Sequence, residues 1–79
     1  MALPRTEEEW MNRASAFIKA EARKADVTYE ELVKRLKKHG FKETKASVTN
    51  KLARGTFNAA WFLACLAALG LEGMRLEDI

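Results

Sequence analysis

Residues 28–55 read TYEELVKRLKKHGFKETKASVTNKLARG, and this stretch decides the fold. Thr28 offers the hydroxyl of a helix N-cap, Glu31 three residues on completes a capping box, and Val27 with Leu32 forms a hydrophobic staple across the helix start. The helix that begins there is expected to bury Leu32, Val33 and Leu36 and to stop at Gly40, where the chain needs a left-handed backbone. Residues 41–43 then connect to Thr44, a second cap. Val48 and Leu52, four apart, give a third helix a narrow apolar stripe, and Gly55 ends it. The order cap, helix, glycine, cap, helix, glycine predicts two short helices joined by a connector.

The same signals recur on either side. Thr6 and Glu9 have capping-box spacing, and Trp10, Ala14, Phe17, Ile18 and Ala25 keep one face apolar at helical period, which predicts a first helix over 7–24. Asn58 caps a fourth helix, with Phe57 and Phe62 as its staple, and Gly70 terminates it. Every residue from 59 to 69 is apolar, so this helix is expected to be central and surrounded by protein, with part of its surface meeting a second copy. Met74, Leu76 and Ile79 fit either a short helical turn or a strand at a dimer edge. No alternating run of β-branched residues occurs, so strands are not expected. The expectation is an all-α, compact four- to five-helix bundle forming a single domain, 1–79, with helices at about 7–24, 28–39, 44–54 and 58–69 and a short C-terminal segment, 74–79.

A 79-residue chain buries only about 60% of its unfolded surface, so its stability margin is thin. One cysteine, Cys65, and one histidine, His39, exclude an internal disulfide or a His/Cys metal staple. The opening MALPRTEEEW lacks the apolar core of a secretory signal, and the 11-residue apolar run falls short of the roughly 20 a membrane span needs. A cytoplasmic protein is expected, with no membrane association.

Catalysis finds no foothold in the residue types. His39 stands among lysines at a helix C-terminus, where a cation is favoured, and has no second ligand or nucleophile at useful spacing. Cys65 lies in an unbroken apolar helix and reads as a small buried hydrophobe rather than a reactive thiol. Glu7, Glu8 and Glu9 stabilise a helix N-terminus. There is no glycine-rich phosphate loop. The chain is expected not to be an enzyme, and no cofactor, metal or small-molecule substrate is indicated.

Charge supplies the functional signal. Net charge is only +3, but residues 34–54 hold eight basic side chains against the lone Glu43, a net of +7, while the remainder carries −4. Such a run is often just a solvated face. Here it crosses two successive helices and their connector, and the third helix sets Ser47, Thr49 and Asn50 beside its lysines. Cations neutralise phosphates, and short polar side chains reach phosphate oxygens or base edges from a helix in the major groove. Duplex DNA is the expected partner. The rival expectation is a protein–protein interaction adaptor, with an acidic partner on the basic face and a contact patch around Trp61 and Phe62. Single-strand or RNA binding would have only Tyr29 and Phe41 to stack bases.

The order of motifs also carries a resemblance. TYEELVKRL resembles the first helix of the helix-turn-helix in the Cro and phage-repressor (XRE-type) family, and ASVTNKLARGTFN looks like that family's recognition helix with its closing glycine and polar turn. WFLACLAALGL is similar to the apolar helix that follows, and MRLEDI to the short acidic close. The similarity spans about residues 17–79. It implies a lambda-repressor-like bundle that sets helix 44–54 in the major groove, as a transcriptional regulator or an antitoxin-like autoregulator, often a homodimer on two half-sites. It further implies that Lys45, Ala46, Ser47, Thr49 and Asn50 face bases, that Lys42, Lys51 and Arg54 meet the backbone with Lys38 adding to the phosphate-facing charge, and that Thr56 or Asn58 approaches the next phosphates. Two departures stand out. The connector from Leu36 to Val48 is longer than the family's tight turn. The Val48/Leu52 spacing is four where the family has three, which predicts that Thr49 is partly buried and the presented face rotated.

Overall fold

The computed structural model describes residues 3–79; Met1 and Ala2, included in the expected domain, lie outside the described residues. It contains α1 (Glu7–Lys24), α2 (Tyr29–Lys38), α3 (Lys45–Arg54), α4 (Ala59–Ala68) and a closing 3₁₀ turn (Leu76–Asp78), and no strand among the described residues. The all-α bundle expected from the sequence is therefore present, and the tail resolves to the helical turn rather than a strand.

Each helix starts where a side chain satisfies its free N–H groups. Thr6, Thr28, Thr44 and Asn58 accept from the backbone N–H groups of Glu9, Glu31, Ser47 and Trp61 at 3.1, 3.1, 3.0 and 2.8 Å. The reciprocal half of each box differs from the simple pattern. Glu9 accepts from the N–H of Arg5, Glu31 turns to Arg35, and only Ser47 closes its box, accepting from Thr44 N–H at 2.8 Å.

Three helices stop by one device. At the ends of α1, α2 and α4 the N–H groups of Val27, Phe41 and Leu71 reach back to the carbonyls of Ala22, Leu36 and Leu66, each following a residue with positive φ. That residue is Gly40 or Gly70 in two cases but Asp26, at φ 57°, in the first. The trailing apolar residue folds back, so each stop also closes the core; Val27 is buried, and Phe41 and Leu71 pack against it.

Ile18, Leu32, Leu36, Val48, Leu52, Trp61 and Cys65 are almost completely buried, drawn from all four helices. Ala25 is exposed as the cap residue of α1, and Val33 is only half-buried, both less enclosed than expected. The larger correction concerns α4. It is not enclosed on all sides: Ala59, Ala60, Leu63 and Ala67 face outward, with Leu63 62% exposed. A 79-residue bundle lacks the helices to surround a fourth one. No helix among the described residues is long and apolar enough to cross a membrane.

Candidate functional site

The position of α3 follows from how it is gripped. Near its C-terminal end the hydroxyl of Ser15, buried in α1, donates to the carbonyl of Leu52. Gly55 then turns the chain at φ 65° so close to α1 that a Cβ there would lie 3.1 Å from Met11 Cβ and 3.2 Å from Met11 O. Val48 and Leu52 seat the inner stripe in the core.

The flank of α3 is held by Glu43, the one acid of the basic segment. Its side chain is only 6% exposed. One carboxylate oxygen accepts from Lys51 Nζ at 2.6 Å and from Trp61 Nε1 at 3.2 Å, and the other accepts from Ser47 Oγ at 2.6 Å. The Lys51 ammonium also stands 5.2 Å from the centroid of the Trp61 ring. Burial by itself would raise the Glu43 carboxyl, but the hydrogen bonds from Lys51 and Ser47, the Lys51 charge and the Trp61 N–H outweigh it and hold the group below its ordinary value. The connector, α3 and α4 are thus joined at one buried carboxylate.

This cluster redistributes the expected site residues. Lys51, expected on the DNA backbone, is drawn inward, and its charge is neutralised inside the domain. Ser47, expected to face bases, is half-buried and committed to Thr44 and Glu43. Trp61, expected in an exposed contact patch, is 1% exposed, while Phe62 beside it is half-buried. Asn58 is committed to its cap. Thr49, expected to be partly buried, is exposed; the inward rotation falls on the Ser47/Lys51 side because that is where Glu43 and Trp61 lie.

The outward face of α3 follows from these constraints. At ~100° per residue, Ala46, Thr49, Asn50 and Ala53 share one face opposite Val48 and Leu52, and all four are exposed. Ala53 was not among the expected site residues, although its i+7 spacing from Ala46 could have identified it. Lys45 and Arg54, both exposed, stand at the two ends of the helix. Lys45 Nζ lies 3.7 Å from Glu30 on the first turn of α2, an exposed contact worth little. Lys38 closes α2, Lys42 sits in the connector and Thr56 follows Gly55; all are exposed.

Among the described residues Lys34, Lys37, Lys38, Lys42 and Arg54 enter no ion pair, whereas Arg35 binds Glu31 and the Ala68 carbonyl. The unpaired cations therefore occupy α2, which packs on α3, the connector and the end of α3 itself. Within residues 34–54 the only acid points inward; outside that segment the exposed Glu30, on the first turn of α2, stands beside Lys45.

Elsewhere the chemistry is quiet. Cys65 is fully buried, and burial, with the Glu43 charge adding to it, pushes its thiol up to about 12. No cluster of His, Cys, Asp and Glu able to hold a metal occurs among the described residues.

The chain belongs to the family described as a domain of unknown function, DUF6471, whose model matches residues 10–74, from within α1 to beyond α4. Neither the curated proteins nor the solved structures compared with it include a match.

Proposed function

We propose that this domain binds duplex DNA by laying the Ala46/Thr49/Asn50/Ala53 face of α3 in the major groove, with Lys38, Lys42, Lys45 and Arg54 on the flanking phosphates and Thr56 at the turn beyond. The observation that carries the reading is the inward turn of Glu43. It leaves residues 34–54 with no outward acid, so that the unpaired Lys34, Lys37, Lys38, Lys42 and Arg54 are available for phosphate neutralisation. The motif order shared with the Cro and phage-repressor family supports the same reading and suggests a transcriptional regulator or an antitoxin-like autoregulator.

Anisotropy of a labelled duplex, titrated at several salt concentrations, tests it. Affinity should fall with a log–log slope of about −0.9 per phosphate neutralised, and alanine at Lys38 or Lys42 should reduce that slope by about 1 while weakening all sequences alike. No anisotropy change at micromolar protein in low salt would overturn the proposal.

One observation favours a second reading, contact with another protein chain. Leu63 is 62% exposed on α4, beside Ala60 and Ala67, in a helix without a single charge. A second copy meeting this face would give the homodimer that a two-half-site arrangement uses, and a different protein would give an adaptor. Sedimentation of the wild type and of Leu63→Glu separates these from a monomer: the homodimer requires a mass shift that the substitution removes.

A further inference from the structure

We infer that the target read by α3 is an A·T-rich half-site recognised mainly through thymine methyl groups, with Asn50 as the one hydrogen-bonding reader. This rests on the proposed duplex binding and specifies what that surface discriminates.

The argument begins with what α3 lacks. Guanine is most often read by an arginine or lysine whose donors bracket O6 and N7. No such side chain lies on the central face: Lys51 is held by Glu43 and Trp61, Lys45 lies about 100° around the helix from Ala46 with its ammonium beside Glu30, and Arg54 closes the C-terminal end. Cytosine is read through its amino donor by a carboxylate; of the two carboxylates near α3, Glu43 is buried and Glu30, on the first turn of α2, stands against Lys45 at the helix start.

What remains is largely apolar and short. Ala46 and Ala53 present methyl groups. Thr49 is polar by name, but its hydroxyl donates to the Lys45 carbonyl at 2.8 Å, one turn back. A hydroxyl has one proton to give, so toward a base Thr49 offers its γ-methyl and an acceptor oxygen but no donor. Three methyl-bearing positions therefore share the face, and apolar contact of Ala or the Thr methyl with the C5-methyl of thymine is the pairing they suit.

Asn50 completes the set. Its side chain is exposed, and no hydrogen bond engages its amide among the described residues, so both the carbonyl and the NH₂ are available. That pair matches the N6 donor and N7 acceptor of adenine. Adenine opposite thymine is what a run of methyl contacts supplies in abundance. The short side chains also let the α3 backbone approach the groove floor closely, which a ring of long lysines would prevent.

The test is selection of bound duplexes from a random library by the full chain, followed by anisotropy on the enriched duplex and on the same duplex with uracil replacing thymine. The uracil duplex loses only the methyl groups and leaves the protein untouched. Enrichment of A·T pairs, with about fourfold weaker binding per contacted methyl removed, is expected. Thr49→Val, which keeps the methyl, should bind like the wild type. Thr49→Ser, which keeps the hydroxyl, should show no penalty for uracil at its position. Asn50→Ala should lose discrimination of about tenfold at one A·T pair while its circular dichroism stays unchanged. If duplexes bind but the enriched sites are G·C-rich or featureless, or uracil makes no difference, the inference fails and duplex binding stands. If no duplex binds at all, the proposed function itself fails.

Discussion

Replacing Lys51 by methionine would leave the Glu43 carboxylate 94% enclosed with only the Ser47 hydroxyl and the Trp61 N–H as donors. Breaking a buried ion pair by removing one partner typically costs about 3–5 kcal/mol, because the other charge stays buried and uncompensated. Lys51 is itself 34% exposed, so water already screens part of its attraction, and a cost of about 2–3 kcal/mol is the appropriate expectation. For a domain of this size that corresponds to a fall in Tm of about 10–20 °C. Glu43→Gln keeps the shape and, with its carbonyl oxygen toward Lys51 and Trp61 and its NH₂ toward Ser47 Oγ, loses the charge attraction, at a cost of about 1–2 kcal/mol. The double variant leaves neither charge without its partner, so it should be more stable than the sum of the single losses by about 1–2 kcal/mol. Urea unfolding followed by tryptophan fluorescence, with Trp61 next to the pair, measures all four proteins. The sign of the pH dependence provides an independent check. The folded-state Glu43 carboxyl lies below its ordinary value, so its contribution is complete above the unfolded value of about 4.3 and is lost as pH falls through the lower folded one. Wild type should lose that increment on acidification and Glu43→Gln should not. Additive single losses of under about 0.5 kcal/mol, with no difference in acid sensitivity, would refute the buried clamp and make the pair an ordinary surface bridge.

Asp26→Gly should raise stability by about 1 kcal/mol in thermal unfolding, because glycine holds the left-handed backbone without Cβ strain and an acid is removed from a helix C-terminus; a loss would show that Asp26 has a favourable local role. Gly55→Ala should cost about 2–4 kcal/mol, combining left-handed strain with a Cβ forced against Met11, whereas Gly40→Ala, with open space around it, should cost about 1–2; equal losses would remove the α1 contact as a cause. Cys65 should resist thiol reagents in the native state at neutral pH and react only as fast as the domain opens, so rapid labelling without denaturant would contradict its burial.

The four N-caps and the glycine stops at Gly40, Gly55 and Gly70 were legible in the sequence because their hydrogen bonds close within three to five residues. The Phe57/Phe62 staple was legible for the same reason, and the rings stack 6.1 Å apart with planes 4° from parallel. The left-handed Asp26 was not, since an aspartate at such a position carries none of the signal that a glycine does. At the site, the basic excess was visible but its availability was not. Composition counted Glu43 as a charge opposing the eight cations and Lys51 as one of them, and the family resemblance set Ser47 among the base-facing residues.

What the sequence determined alone is mostly local: an all-α chain, four helix starts, the three glycine stops, and an apolar stripe on α3 at Val48 and Leu52. Only the tertiary structure decided which of the remaining side chains of α3 face outward. Trp61 lies 18 residues from Glu43 in the chain, yet its indole N–H bonds that carboxylate, and Lys51 joins them from a third element. A buried carboxylate needs several donors at once, and no helical periodicity specifies which distant elements will supply them. Satisfying Glu43 turned Lys51 and Ser47 inward, and that left Ala46, Thr49, Asn50 and Ala53 as the exposed face.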